Sequence, residues 1–305
     1  MRDIEYGVPH RACPLDARLM VAQKKPPRMI DKRRLSLAVA RAQRLQKERV
    51  GSDFLMQRMA DELADRMAVI NRTFEAPLLI APNHPAITVA LAPKVSGQIT
   101  MIHEPDMFDE VLKAPRDDHD LIVTLGQLHL LDDVPGMLAQ MERAMRPDGL
   151  LLACVPGAGS MDVARNALLA AEESITGGAA QRFMPLIDVR SAGALLQRAG
   201  FALPVADVDE VNVRYSDIKN LVGDLRAMSA TNFRLSEHPV PLRRGVWKRF
   251  CEEMAQSADE NERVSVGFHM VWMSGWAKAD TQPKPLQPGS AEKSLSAVLG
   301  RRQAK

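Results

Sequence analysis

Four short, almost purely apolar runs, PLLIA (77–81), ITMIH (99–103), LIVTL (121–125) and LLLACV (150–155), are separated by longer stretches of different character. A run this short without polar alternation suits a strand covered on both faces, as in the interior of a parallel sheet. The intervening stretches read as helices. Phe54, Leu55, Met59, Leu63, Met67 and Ile70 recur at three- to four-residue spacing behind Ser52–Asp53, whose side chains are suited to capping; the spacing predicts an amphipathic helix over 52–70. A second helix is predicted over Val134–Met145, stopping at a turn in RPDG (146–149). Strand, helix and strand in this order predict an α/β fold with a doubly wound, mostly parallel sheet.

The second half keeps the helices and changes the strands. Asp188 is placed to cap a helix that buries Leu195 and Leu196 and stops at Gly200, and Asp217 to cap another with Ile218, Leu221, Val222, Leu225 and Met228 on one face. Residues 205–215 and 264–276 instead alternate with period two (Val264, Val266, Phe268, Met270, Trp272), as half-buried strands do. No helix-sized sequence follows the second of them before the end of the domain, so the two are expected to pair as a C-terminal antiparallel hairpin.

With 305 residues the chain can bury one large domain with extensions. Cys13, Cys154 and Cys251 are odd in number and form no CxxC pair, which argues for a reducing compartment and against a zinc site. No apolar run reaches the roughly 18–20 residues of a membrane span, so the expectation is a soluble, cytoplasmic protein. Residues 1–28 are expected to be a mobile N-terminal extension. Residues 29–280 form the domain, with a helical arm over 29–75, and 281–305 form a mobile tail beginning with the Pro- and Lys-rich TQPKPLQPGSAEK. The formal charge of +2 conceals an imbalance, because residues 24–49 hold ten Lys or Arg against Asp31 and Glu48. Leu35, Val39 and Leu45 provide an apolar stripe under those charges, and no aromatic residue interleaves with them. The arm is therefore expected to pack on the domain or on a protein rather than to bind nucleic acid.

The segments DVRSAGALLQRAGFALP (188–204), DLRAMSATN (224–232), VPLRR (240–244) and GWA (275–277) resemble the methyltransferase-fold assembly factors of respiratory complex I. Members of that family bind S-adenosylmethionine and are known as arginine hydroxylases acting on a complex I subunit. The resemblance implies a class I methyltransferase-like Rossmann fold, S-adenosylmethionine as cofactor, and a protein partner that could be a complex I subunit. Segments 188–204 and 224–232 would frame the cleft.

Where the family carries an acid and a glycine-rich loop after the first strand, this chain reads LLIAPNHPAIT (78–88), without a glycine. Alignment with the pattern puts Leu79 at the acid and Ala81, Asn83 and Pro85 at the glycines. Ala81 is small and Asn83 tolerates a left-handed backbone. Pro82 and Pro85 have no amide to donate. Glu104, in IHEPDMF (102–108), stands in for the ribose-binding acid, and the short interval from Phe108 to Leu121 predicts that one strand unit is shortened or absent. DLIVTLGQLHLLDDVPGML (120–138) keeps the family's next segment, with Thr124, Gly126 and His129. The candidate cofactor site is thus Ala81, Asn83, His84, Glu104, Thr124, Gly126 and His129. His84, His103, His119 and His129 could gather near the cleft, but their spacing matches no metal signature. No catalytic residue stands out. The residues favour weak or lost S-adenosylmethionine binding and an assembly role; an active methyltransferase or hydroxylase is the alternative, and a nucleic-acid methyltransferase the third.

Overall fold

The first apolar run becomes strand β1 (Pro77–Ile80) and the third becomes β3 (His119–Leu125), and every residue of both strands is buried. The computed structural model describes residues 27–48, 51, 53–103, 107–237 and 239–283. Within them β2 (Thr100–Ile102) and β4 (Met145–Pro156) complete a parallel set, and β5 (Ala202–Tyr215) and β6 (Val264–Trp276) add the antiparallel hairpin. The sheet order is β2-β1-β3-β4-β6-β5. Strand order therefore reverses between β1 and β3, which places the ligand crevice of such a sheet at their carboxyl ends.

Alternate residues of each strand feed opposite cores. Leu78, Ile80, Ile122 and Leu151 face α4 (Val134–Ala144) and α6 (Val189–Ala199). Leu79, Ala81, Leu121, Val123 and Cys154 face α2 (Phe54–Ala68) and the short α3 (Pro85–Leu91). Each fully buried Leu, Ile or Val contributes about 1.5–3 kcal/mol, so both faces carry substantial stabilisation. A third cluster joins α5 (Asp162–Thr176), α7 (Ile218–Ala227) and α8 (Arg244–Ala255) to the outer half of the hairpin through Ala171, Leu221, Phe250 and Val266. Helix α2 is fastened to β5 by charge as well: Arg58 holds Asp209 at 2.7 and 2.9 Å, and Arg66 holds Asp207 at 2.8 Å while its guanidinium lies over Trp272 at 4.6 Å.

The expected caps form at Asp188, which accepts from the Ser191 amide, and at Asp217, which accepts from the Lys219 amide. Gly200 ends α6 in the left-handed conformation. Two local expectations change. RPDG is no free turn, because β4 starts at Met145 and pairs with His119; the extra residues are taken up as an irregularity with Asp148 at a φ of 61° and its amide bonded to the Ala277 carbonyl. Asp53 sits at the N-cap of α2 without capping it, because its carboxylate is drawn to His84. Among the described residues no strand lies between β2 and β3, so β2 forms the edge of the sheet and the expected shortening or loss of a strand unit is met. The intervening segment is clasped instead: the Glu110 carboxylate accepts from the Asp132 and Asp133 amides, and Gln140 bonds both the Leu112 amide and the Glu110 carbonyl.

The basic arm packs on the domain. In α1 (Lys32–Glu48) Leu35 and Val39 are buried against Ile30, Leu130 and Phe233, and Leu45 is half-buried. The arm also makes polar contacts: the Asp31 amide donates to the Phe233 carbonyl, Arg41 to Thr231, and Gln46 to the Ala227 carbonyl. Removing residues 1–50 is expected to uncover Leu130 and Phe233, lowering soluble yield and raising binding of a hydrophobic dye. Equal solubility of the truncated chain would show that the arm is dispensable to the core. Residues 1–26 and the tail from 284 lie outside the described residues.

Candidate functional site

The site grows from two strand ends. β1 stops at Ile80, and the next residues are Ala81-Pro82-Asn83-His84-Pro85. A residue before proline is pushed into extended backbone, and His84 has φ −130° and ψ 123°, with Pro85 opening α3 at its first turn. The loop contains no positive φ, so Asn83 does not adopt the left-handed conformation that its alignment with a glycine suggested. The prolines remove that need by setting the path themselves. Past β3, by contrast, Gly126 has a φ of 64° and donates its amide to the Cys154 carbonyl.

Asn83, His84, Gly126 and His129 line one cavity of about 1040 Å³ at the carboxyl ends of the strands. Ala81 and Thr124 lie buried beneath it, the Thr124 hydroxyl without a hydrogen-bond partner. Glu104 lies outside the described residues. His119 is at the start of β3, at the other end of the sheet, where its ring bonds the Ala76 carbonyl. His103 follows β2 and is exposed. The four histidines therefore do not gather, and no group of metal-ligating side chains occurs among the described residues.

Two histidines at the cavity differ in their partners. His84 Nε2 lies 2.9 Å from Asp53, and this hydrogen bond holds the Asp53 carboxyl below its usual range. His129 has no such partner. Burial pushes its pKa down to about 4, so the ring is neutral at pH 7. The inner nitrogens, Nδ1 of both rings, are sealed from solvent without partners.

The rest of the wall was not read from the sequence. Segment 224–232 does frame the cavity, through Leu225, Met228 and Thr231. Segment 188–204 does not. It forms α6 and packs behind the sheet, and its Phe201 lies so close to Gly275 that a Cβ there would come within 2.8 Å of the Phe201 Cβ. Two of the quoted motifs thus meet in the core rather than at the cleft. Arg165 and Arg182 line the cavity from α5 and the loop after it. Arg182 is compensated by Glu172 at 2.6 Å. Asp53 reached the site because α2 and α3 pack together, which no spacing in sequence announces.

The donor pattern does not fit S-adenosylmethionine as a glycine-rich loop would hold it. Prolines 82 and 85 offer no amide, Leu79 replaces the acid and is buried in the core, and the His84 nitrogen nearest Asp53 is already committed. No helix among the described residues is long and apolar enough to cross a membrane.

No family model matches the chain. The curated relative "Arginine-hydroxylase NDUFAF5, mitochondrial" of Danio rerio is 26% identical over 261 residues, 80% of this chain and 81% of that protein. Its Rattus norvegicus counterpart is 27% identical over 263 residues, 81% and 77% of the two chains. A malonyl-[acyl-carrier protein] O-methyltransferase of Laribacter hongkongensis is 26% identical over 56% of this chain and 55% of its own. Among solved structures, the YcgJ protein of Bacillus subtilis covers 71% of this chain and 98% of its own at 12% identity, with a TM-score of 0.47. The sequence resemblance to the arginine-hydroxylases named NDUFAF5 therefore holds over about four fifths of this chain, on a six-stranded, mostly parallel α/β sheet finished by an antiparallel pair.

Proposed function

We propose that this methyltransferase-fold protein lacks tight S-adenosylmethionine binding and works by holding a protein partner, in an assembly role. The observation that carries this reading is the loop at 82–85, where two prolines stand and His84 is tied to Asp53. The resemblance to complex I assembly factors makes a subunit of that complex the first partner to test, and the cysteine pattern suits a reducing compartment such as the cytoplasm. The buried underside of α1 also favours a protein role over nucleic-acid binding.

Each missing charge-assisted hydrogen bond forfeits roughly 1.5–3 kcal/mol. Titration calorimetry with S-adenosylmethionine is therefore expected to give a dissociation constant weaker than about 100 μM, or no heat at all. A low-micromolar constant would overturn the proposal and bring forward the alternative, an active S-adenosylmethionine-dependent methyltransferase or arginine hydroxylase. One observation favours that alternative: a large cavity with Gly126 at its floor persists at the sheet's switch point.

A further inference from the structure

Six methionines, Met56, Met59, Met161, Met184, Met228 and Met270, come from α2, the approach to α5, the loop after α5, the end of α7, and β6 to line the same cavity. Phe183, Trp247, Phe250 and Phe268 add aromatic surface between them. Methionine is unbranched and polarizable, so a wall built from it moulds itself around flexible apolar matter. At about 1040 Å³ the space stands at the upper end of the range for small-molecule sites.

The charged groups on the wall fix the other end of an occupant. Among the described lining residues the permanent charges are Lys47, Arg165 and Arg182 against Asp53 alone. Asp53 is engaged by His84, and Arg182 by Glu172. Arg165 is different. It reaches Asp162 only at 3.3 Å through Nη1, its guanidinium lies over Phe183 at 5.4 Å, and its Nε is buried without a partner. A guanidinium-bearing substrate would find no spare acid here. An anion would find, at the edge of an apolar chamber, a partly exposed guanidinium whose carboxylate neighbour Asp162 lies 3.3 Å away and largely in solvent, and a charge-assisted hydrogen bond to it would be strong.

We infer that the cavity binds a molecule with a single apolar chain ending in an anion, the chain lying among the methionines and the anion received by Arg165. A free fatty acid and a single-chain lipid phosphate share this chemistry. The inference does not rest on a protein-holding role and survives its failure, since calorimetry with S-adenosylmethionine reads a different ligand.

The test uses the purified full chain and the fluorescent probe 11-(dansylamino)undecanoic acid, displaced in parallel by laurate, lauroyl lysophosphatidate, dodecanol and dodecylamine. Probe emission should shift to the blue, and laurate or the lysophosphatidate should displace it more tightly than the alcohol or amine; whichever of the two is tighter identifies the source. Arg165→Gln should weaken the anionic competitor by at least about tenfold, the loss of one charge-assisted contact, and leave dodecanol unchanged. Leu225→Trp, which fills the chamber from α7, should weaken all four, with melting curves checking that both variants fold. Failure of the probe to bind, or displacement by dodecylamine as tight as by laurate, would overturn the inference.

Discussion

Glu172→Ala is expected to lower unfolding stability by about 3–5 kcal/mol, the range for breaking a buried ion pair from one side. Glu172 is 3% exposed, and its carboxylate accepts from Arg182 at 2.6 Å and from the Ala180 amide at 2.8 Å. Without it the Arg182 guanidinium keeps, among the described residues, the Val240 carbonyl at 3.0 Å, in a setting where an unpaired charge is costly. The loop from Thr176 to Leu186, which forms one wall of the cavity, would lose its anchor. For a domain of this size that corresponds to a fall in melting temperature of roughly 6–20 °C. Glu172→Leu combined with Arg182→Met should recover part of the loss, since the pair is then replaced as a whole. A loss below about 1 kcal/mol in the single variant would show the loop to be held by other means.

His129 should make the protein sensitive to mild acid. The unfolded chain takes up a proton on this histidine near pH 6.5, whereas the folded chain resists until about pH 4, because burial disfavours the charged ring. The unfolded state therefore binds more protons across that window, and stability is lost as pH falls through it, by up to about 3 kcal/mol. Denaturant titrations at pH 7 and pH 4.5 of the parent and of His129→Gln isolate this contribution, because other carboxylates, Asp53 among them, titrate in both proteins. The parent should lose about 2 kcal/mol more than the variant over that interval. Parallel losses would mean that the folded ring reaches water and titrates normally.

The sheet could be read because its evidence is local. PLLI and HDLIVTL have to be covered on both faces, and the alternation from Val264 to Trp272 has to leave one face less covered, so fold class and the hairpin followed from strand composition. RPDG misled because turn residues can also form an irregularity inside a strand when a neighbour, here His119, supplies the pairing. The site was half legible. Asn83, His84, Gly126 and His129 sit directly after two strands and had to fall at the crevice, whatever their chemistry. Asp53, Arg165 and the methionines arrive from helices, a loop and β6 packed around the crevice, and a methionine on an apolar face reads as core in any sequence. Segment 188–204 gave the opposite lesson. It builds a packing joint between Phe201 and Gly275 and does not line the cleft.

Among the described residues, the last strand in sequence is not the last in the sheet. β6 pairs with β4 on one side from Leu150 to Pro156 and with β5 on the other from Ala202 to Tyr215. A nascent chain leaving the ribosome therefore presents β4 with an open edge, and β5 with no neighbour to join, until residues 264–276 have emerged. Over a hundred residues of synthesis separate β4 from the strand that completes it, and translation at about 5–20 residues per second makes that a wait of several seconds. An unpaired strand as apolar as LLLACV invites pairing with another chain during that interval. Ribosome-bound chaperones would then matter more to the yield of this protein than the final stability of its sheet does.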